Sequence, residues 1–91
     1  MTDTASKRIL YRGQVQNVGF RKRVLAISTG FKVYGIVRNL STGEVELVAE
    51  GALGELEGFL KQISQQLGHL ISASQAEDRQ AQFFQDFHIE Y

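Results

Sequence analysis

The sequence predicts an α+β fold in which an antiparallel sheet of four to five strands carries two helices on one face. Apolar residues follow a period of two in some segments and a helical period in others, in the order β-α-β-β-α-β. The chain has 91 residues, of which 43% are apolar and 22% charged. This size suits one domain, so we expect residues 1–91 to form a single domain with a flexible N-terminus over 1–6.

The first strand and the first helix are predicted on either side of a loop that contains glycine. Residues 7–14 alternate between apolar and polar positions, which is typical of a strand with one buried face. From Phe20 the spacing becomes helical, and Gly30 can end that helix. The apolar positions are Ile9, Tyr11 and Val15 in the strand and its extension, and Phe20, Val24, Ile27 and Phe31 in the helix.

A hairpin and a second helix follow. Two β-rich runs, 33–38 and 44–50, are joined by a loop over 39–43 whose length and composition are typical of a hairpin. Residues 52–67 return to helical spacing, and Gly68 offers the end of that helix.

The last part of the chain is less regular. Residues 72–82 are polar and leave open whether a loop or a short edge strand near 75–80 precedes the final strand, predicted over 83–91. Together the elements describe a ferredoxin-like sandwich. Because this architecture hosts many unrelated functions, function must be inferred from a site.

Composition excludes several classes of site. The chain has no cysteine, so disulfides, thiolate catalysis and cysteine zinc sites are absent. The two histidines, His69 and His88, lack metal-ligand spacing, and we interpret both as surface residues without a metal. No apolar run reaches the roughly 18 to 20 residues of a membrane span. We therefore expect a cytoplasmic protein that needs no cofactor.

Charge is divided unevenly along the chain. Residues 1–40 contain eight cations and one acid, a net charge of +7, whereas residues 41–91 contain two cations and nine acids, a net charge of −7. The zero total argues against extensive nucleic-acid binding but permits a local anion site in the first half. An RNA-binding sheet is also disfavoured, because the predicted central strands lack stacking aromatic pairs.

The loop between the first strand and the first helix is the candidate site. Gly19 and Asn17 tolerate unusual backbone angles, so successive N–H groups at the helix start could converge on an anion. The planar guanidinium of Arg21 could hold two oxygens of a phosphoryl group. A plain structural turn is the alternative, and these residues alone do not decide between the two.

Two spaced motifs in this chain resemble the signatures of the acylphosphatase family. The first, approximately G-x-V-Q-G-V-x-F-R, is matched by Gly13, Val15, Gln16, Val18, Phe20 and Arg21. The second, approximately G-x-V-x-N-x-x-x-G-x-V, is matched by Gly35, Val37, Asn39, Gly43 and Val45. With the element order and the length, the resemblance covers nearly the whole chain.

The resemblance implies a metal-independent hydrolase of acyl phosphates. Arg21 and Asn39 would be the catalytic residues, with Asn39 orienting the attacking water and inorganic phosphate as product and inhibitor. The phosphate would be held by the backbone N–H groups of Gln16, Asn17, Val18, Gly19 and Phe20. We expect a monomer that binds neither nucleic acid nor membranes.

Alternatives remain at three points. The same loop could serve a non-catalytic, regulatory module that binds phosphate or another anion. Asn39 could instead support the hairpin turn through its side chain. Asn17 stands where the family usually has glycine, which puts rate and affinity in doubt rather than the shape of the loop. We interpret Arg23 and Arg38 as surface charges and Phe20 as a core residue.

Overall fold

The computed structural model describes residues 3–91, and its elements follow the order predicted from the sequence with one strand added. The elements are β1 (Thr4–Gly13), α1 (Phe20–Ser28), β2 (Val33–Asn39), β3 (Val45–Ala52), α2 (Leu53–Leu67), a 3-10 turn (Gly68–Leu70), β4 (Ile71–Asp78) and β5 (Phe87–Ile89). The added strand is β4, which settles the open question about residues 72–82.

The five strands form one sheet in the order β4-β1-β3-β2-β5. All neighbouring pairs are antiparallel except β2 and β5, which are parallel. The expectation of an all-antiparallel sheet is therefore wrong at this edge. The reason is topological: residues 79–86 cross from one edge of the sheet to the other, and β5 starts at the end of the sheet where β4 stops.

The core lies between the sheet and the two helices, as the sandwich requires. Apolar side chains alternate inward along the three central strands and meet one stripe of each helix. The largest fully enclosed side chains are Phe20, Phe59, Leu47, Leu56, Ile63, Leu67, Val15, Val24, Val37 and Val45. The ferredoxin-like class with both helices on one face is confirmed, and so is Phe20 as a core residue.

The first and last strands differ from the prediction by three or more residues. Thr4, Ala5 and Ser6, expected in a flexible N-terminus, belong to β1 and pair with β3. The predicted final strand over 83–91 is shorter, because Phe83 lies in the crossover with a φ of 59° and 78% exposure. An apolar pattern alone did not separate this exposed aromatic residue from a strand position.

A buried carboxylate holds the crossover against the sheet. Glu50 on β3 is only 3% exposed, and it accepts hydrogen bonds from the backbone N–H groups of Gln82 (2.9 Å) and Phe84 (2.7 Å). The N–H of Gly35 then donates to the carbonyl of Asp86 at 2.8 Å, which starts the β2–β5 pairing. These contacts fix the position of β5 and of the C-terminal residues that follow it.

The sheet face opposite the helices carries ion pairs that join the basic first half to the acidic second half. Glu46, 4% exposed, accepts hydrogen bonds from Arg8 (2.5 Å) and Arg38 (2.6 Å). Burial opposes ionisation of Glu46, but the two arginines outweigh it and hold its pKa below the usual value of 4.5. Arg38, interpreted from sequence as a surface charge, is thus partly exposed and paired.

We expect Glu46→Gln to lower the free energy of unfolding by about 1 to 2 kcal/mol at neutral pH, the size of a charged hydrogen bond partly screened by solvent. A carboxyl whose pKa is depressed by folding stabilises the fold above its unfolded pKa, and this stabilisation is lost as pH falls through the folded pKa. Urea unfolding between pH 7 and pH 2.5 measures the free energy of unfolding of both proteins. The difference between wild type and variant should become smaller as the pH falls. A constant gap would contradict this account.

Candidate active site

The loop over residues 14–19 connects β1 to α1, and positive φ angles occur at its start and within it. Gly13 ends β1 with a φ of 129°, and a Cβ there would collide with the main chain of Leu70 and Ser72. Asn17 (φ 64°) and Gly19 (φ 75°) are both left-handed, which few residues adopt without strain. The loop therefore turns sharply and presents its peptide N–H groups at the start of α1.

These N–H groups have no acceptor within residues 3–91. Gly19 caps α1 without a side-chain hydrogen bond, and the first turn of the helix carries no acidic residue. The first intrahelical bond runs from the N–H of Arg23 to the carbonyl of Gly19, at 3.1 Å. The N–H groups of residues 16–20 make no hydrogen bond to the described part of the chain. Such a row of free donors at a positive helix end is suited to an anion.

The side chain of Gln16 has a role that the sequence analysis missed. Its Nε2 donates to the carbonyl oxygens of Leu40 and Glu44, both at 2.9 Å. These acceptors lie on either side of the β2–β3 turn, so Gln16 ties the candidate phosphate loop to the hairpin that carries Asn39. No local spacing pattern could reveal this contact, because its partners are 24 and 28 residues away.

A cavity of about 200 Å³ lies beside the loop. Asn17, Gly19, Phe20 and Arg21 line it together with Lys22, Val15, Ile89 and Tyr91. The guanidinium carbon of Arg21 lies 5.0 Å from the ring centroid of Tyr91, within cation–π distance, and that ring is 92% exposed. The predicted residues Gln16, Val18 and Asn39 do not line this cavity.

Asn39 lies at the end of β2, on the same sheet face as Val37, two residues before it in the core. In the parallel β2–β5 pairing Val37 is opposite Ile89, and the N–H of Glu90 donates to the Val37 carbonyl at 3.0 Å. Two residues beyond this pair are Asn39, which ends β2, and Tyr91, which lies past the end of β5. This register brings Asn39 to the sheet end at which Tyr91 contacts Arg21.

The side chain of Asn39 does not hold the hairpin turn together. The turn is closed by hydrogen bonds from the N–H of Leu40 to the carbonyl of Glu44 (2.8 Å) and from the N–H of Gly43 to the carbonyl of Leu40 (3.1 Å). Asn39 Oδ1 is buried and has no hydrogen-bond partner among the described residues. A buried unpaired acceptor costs about 1 to 3 kcal/mol, so this amide gains stability from any donor that reaches it.

The ion pairs leave positive charge concentrated at this site. Lys7, Arg8, Arg12 and Arg38 of the strands all pair with acidic residues of the second half. By contrast, Arg21, Lys22 and Arg23 of α1 form no ion pair with any residue in the range 3–91. Three neighbouring cations of α1 are thus left without an acidic partner in this range, whereas the strand cations named above are paired.

The two histidines and the acidic residues of the range 3–91 form no metal site. His69 and His88 are both exposed, as predicted, and His88 Nδ1 lies 2.8 Å from Asp86 Oδ1. Within residues 3–91, no three histidine or acidic side chains gather as metal ligands. Among the helices of the same range, none combines the length and the apolar character needed to cross a membrane.

We expect Asn17→Gly to maintain turnover of a small acyl phosphate or to raise it by up to a few fold. Glycine removes about 1 kcal/mol of left-handed strain and a side chain that lines the cavity and can compete for a loop N–H. Steady-state kcat and KM of the purified variant measure this. A large loss of turnover would show that the Asn17 amide has a positive role in the reaction.

Comparisons with known proteins agree with the geometry. The family model described as Acylphosphatase matches residues 7–89. The chain is 46% identical over 56 residues to the acylphosphatase of Methanospirillum hungatei, an alignment that covers 62% of either protein. It is 37% identical to the acylphosphatase of Bacillus licheniformis, with 92% of this chain and 96% of the relative aligned.

The fold comparison extends over the whole architecture. The crystal structure of acylphosphatase from Bacillus subtilis superposes with a TM-score of 0.87 at 29% identity. The superposition covers 96% of this chain and 99% of that structure. Sequence, topology and the position of both signature loops therefore lead to one conclusion: the chain belongs to the acylphosphatase family.

Proposed function

We propose that this protein hydrolyses acyl phosphates to a carboxylate and inorganic phosphate by direct attack of an oriented water. The observation that carries the proposal is a row of five N–H groups at residues 16–20 that have no acceptor in the described part of the chain, next to a cavity that Arg21 lines. The fold and the family membership support the same reaction.

In this proposal the loop and Arg21 hold the phosphoryl group. The N–H groups of Gln16, Asn17, Val18, Gly19 and Phe20 donate to its oxygens, and the guanidinium of Arg21 donates through two N–H groups at once. Both kinds of donor also stabilise the negative charge that the transition state spreads over the equatorial oxygens. The Tyr91 ring lies within cation–π distance of this guanidinium.

Asn39 orients the attacking water. An amide is neutral and is no base near pH 7, but its Oδ1 can accept a hydrogen bond from water and set the line of approach to phosphorus. In the structure Oδ1 is enclosed. The proposal therefore requires the amide to turn about its broad χ2 torsion when substrate and water enter.

The chemistry needs neither a metal nor a covalent nucleophile. The water oxygen forms the new bond to phosphorus, the bond from phosphorus to the acyl oxygen breaks, and a stable carboxylate leaves. A phosphate oxygen takes the proton of the attacking water. The protein positions the reactants and stabilises negative charge, and these two effects account for most of the catalysis of phosphoryl transfer. A monomeric state and a cytoplasmic location stay predictions of the sequence.

Hydrolysis of benzoyl phosphate, with and without a chelator and with inorganic phosphate as competitor, tests the proposal. We expect turnover that the chelator leaves unchanged and that phosphate inhibits competitively. Phosphate binding without product release would indicate the non-catalytic anion module instead. Turnover that a chelator abolishes would contradict the metal-free mechanism.

A further inference from the structure

We infer that Lys22 forms a second anion subsite in the cavity, which selects acyl phosphates whose acyl group carries another anionic group such as a carboxylate. The inference rests on the proposed function and makes its substrate class more specific. It starts from a feature of this chain that the phosphate-binding role does not use: a second cation lines the same cavity.

Lys22 follows Arg21 in the first turn of α1, and both residues line the cavity of about 200 Å³. Successive residues of a helix are rotated by about 100°, so the two side chains leave the helix in different directions. A phosphoryl group held by Arg21 and the loop N–H groups would therefore leave the Lys22 ammonium free for another part of the substrate.

No ion pair neutralises the charge of Lys22 within residues 3–91. No residue that lines the cavity is acidic, and no carboxylate of residues 3–91 lies within ion-pair distance of Lys22. Four cations of the strands, by comparison, each have an acidic partner. An unpaired cation at the wall of a binding cavity favours an anionic ligand and speeds its approach.

The other walls suit the carbon chain between two anions. Val15, Ile89 and Tyr91 line the cavity with the two cations. An acyl phosphate with a terminal carboxylate would place its phosphoryl group on the loop, its methylene groups against these apolar side chains and its carboxylate near Lys22. An uncharged acyl chain of the same length would make the first two contacts only.

The test compares two substrates of equal length, succinyl phosphate and butanoyl phosphate, in the wild type and in Lys22→Gln. The readout is the ratio of their kcat/KM values, which cancels any general effect on phosphate binding. We expect wild type to favour succinyl phosphate and Lys22→Gln to lower the ratio about threefold to fivefold, as for an exposed charge pair. Lys22→Glu should lower it more, and added salt should lower the wild-type ratio.

Arg23→Gln is the matched control, because Arg23 is an exposed cation of the same helix turn and does not line the cavity. It should leave the substrate ratio unchanged. A ratio that stays constant in Lys22→Gln, or that falls equally in Arg23→Gln, would overturn the inference.

A binding measurement separates this inference from the proposed function. The probes are two phosphonates that cannot be hydrolysed, 5-phosphono-4-oxopentanoate and 2-oxopentylphosphonate, measured by calorimetry. If Lys22→Gln weakens only the first while the wild type hydrolyses neither substrate, the subsite is supported and the hydrolase is not. If both phosphonates bind equally to wild type and variant, the subsite is overturned, whatever the rate of hydrolysis.

Discussion

Replacing Arg21 by lysine is expected to lower kcat/KM for benzoyl phosphate by about a thousandfold or more. Lysine keeps the positive charge but presents it as a point, so the paired N–H contacts to two phosphoryl oxygens are lost. Losing one preorganised donor to a developing charge costs about 10²- to 10³-fold, and an arginine on a transferring phosphoryl group is worth about 10³- to 10⁵-fold. Lysine also removes the guanidinium that lies 5.0 Å from the ring centroid of Tyr91.

The fold should tolerate this change, because Arg21 forms no ion pair with any described residue and lysine is an equally good helix former. Arg23→Lys on the same turn is the control, and we expect it to alter kcat/KM less than twofold. Circular dichroism and thermal unfolding verify that both variants are folded. An Arg21→Lys variant that keeps more than a tenth of the wild-type kcat/KM would refute the bidentate role.

Asn39→Ala is expected to lower kcat by about 10²- to 10³-fold while leaving competitive inhibition by inorganic phosphate nearly unchanged. The amide would act on the attacking water rather than on the phosphoryl group, so its removal affects the transition state and not ground-state binding. Because Oδ1 has no hydrogen-bond partner within residues 3–91, alanine removes no internal hydrogen bond of that atom. The melting temperature should therefore not fall.

Thermal stability separates this role from support of the hairpin turn. Thr42→Ala is the control, since the Thr42 hydroxyl donates to Glu44 Oε1 at 2.8 Å inside the turn. We expect Thr42→Ala to change stability slightly and kcat very little, the reverse of Asn39→Ala. An Asn39→Ala variant with full turnover and a lowered melting temperature would assign Asn39 to the turn.

The central elements of the fold could be predicted because the burial of one face produces a periodic pattern of apolar residues in the local sequence. The stripe through Phe20 and Val24 and the alternation through Val45 and Leu47 arise wherever one face packs on a core. β4 gave a weak signal because it is an edge strand, exposed along most of its length. The parallel pairing of β5 depends on where the crossover leads, which no local pattern contains.

The local features of the candidate site could be predicted from the sequence, whereas its contacts between distant segments could not. The left-handed residues Asn17 and Gly19 and the helix start after them are local features, and they were visible in the sequence. The bridge from Gln16 to the hairpin and the contact of Arg21 with Tyr91 join distant segments, so only the fold reveals them. The pairing of the strand arginines with Glu44 and Glu46 also joins distant segments, and the net charge of zero does not reveal it.

A crystal structure with bound orthovanadate tests the central claim most directly, because this anion can adopt the five-coordinate geometry of phosphoryl transfer. We predict that its equatorial oxygens accept hydrogen bonds from the N–H groups of residues 16–20 and from both terminal nitrogens of Arg21. An apical oxygen should lie within hydrogen-bond distance of the Asn39 side-chain amide. Vanadate bound away from this loop, or an apical oxygen that Asn39 does not contact, would contradict the account.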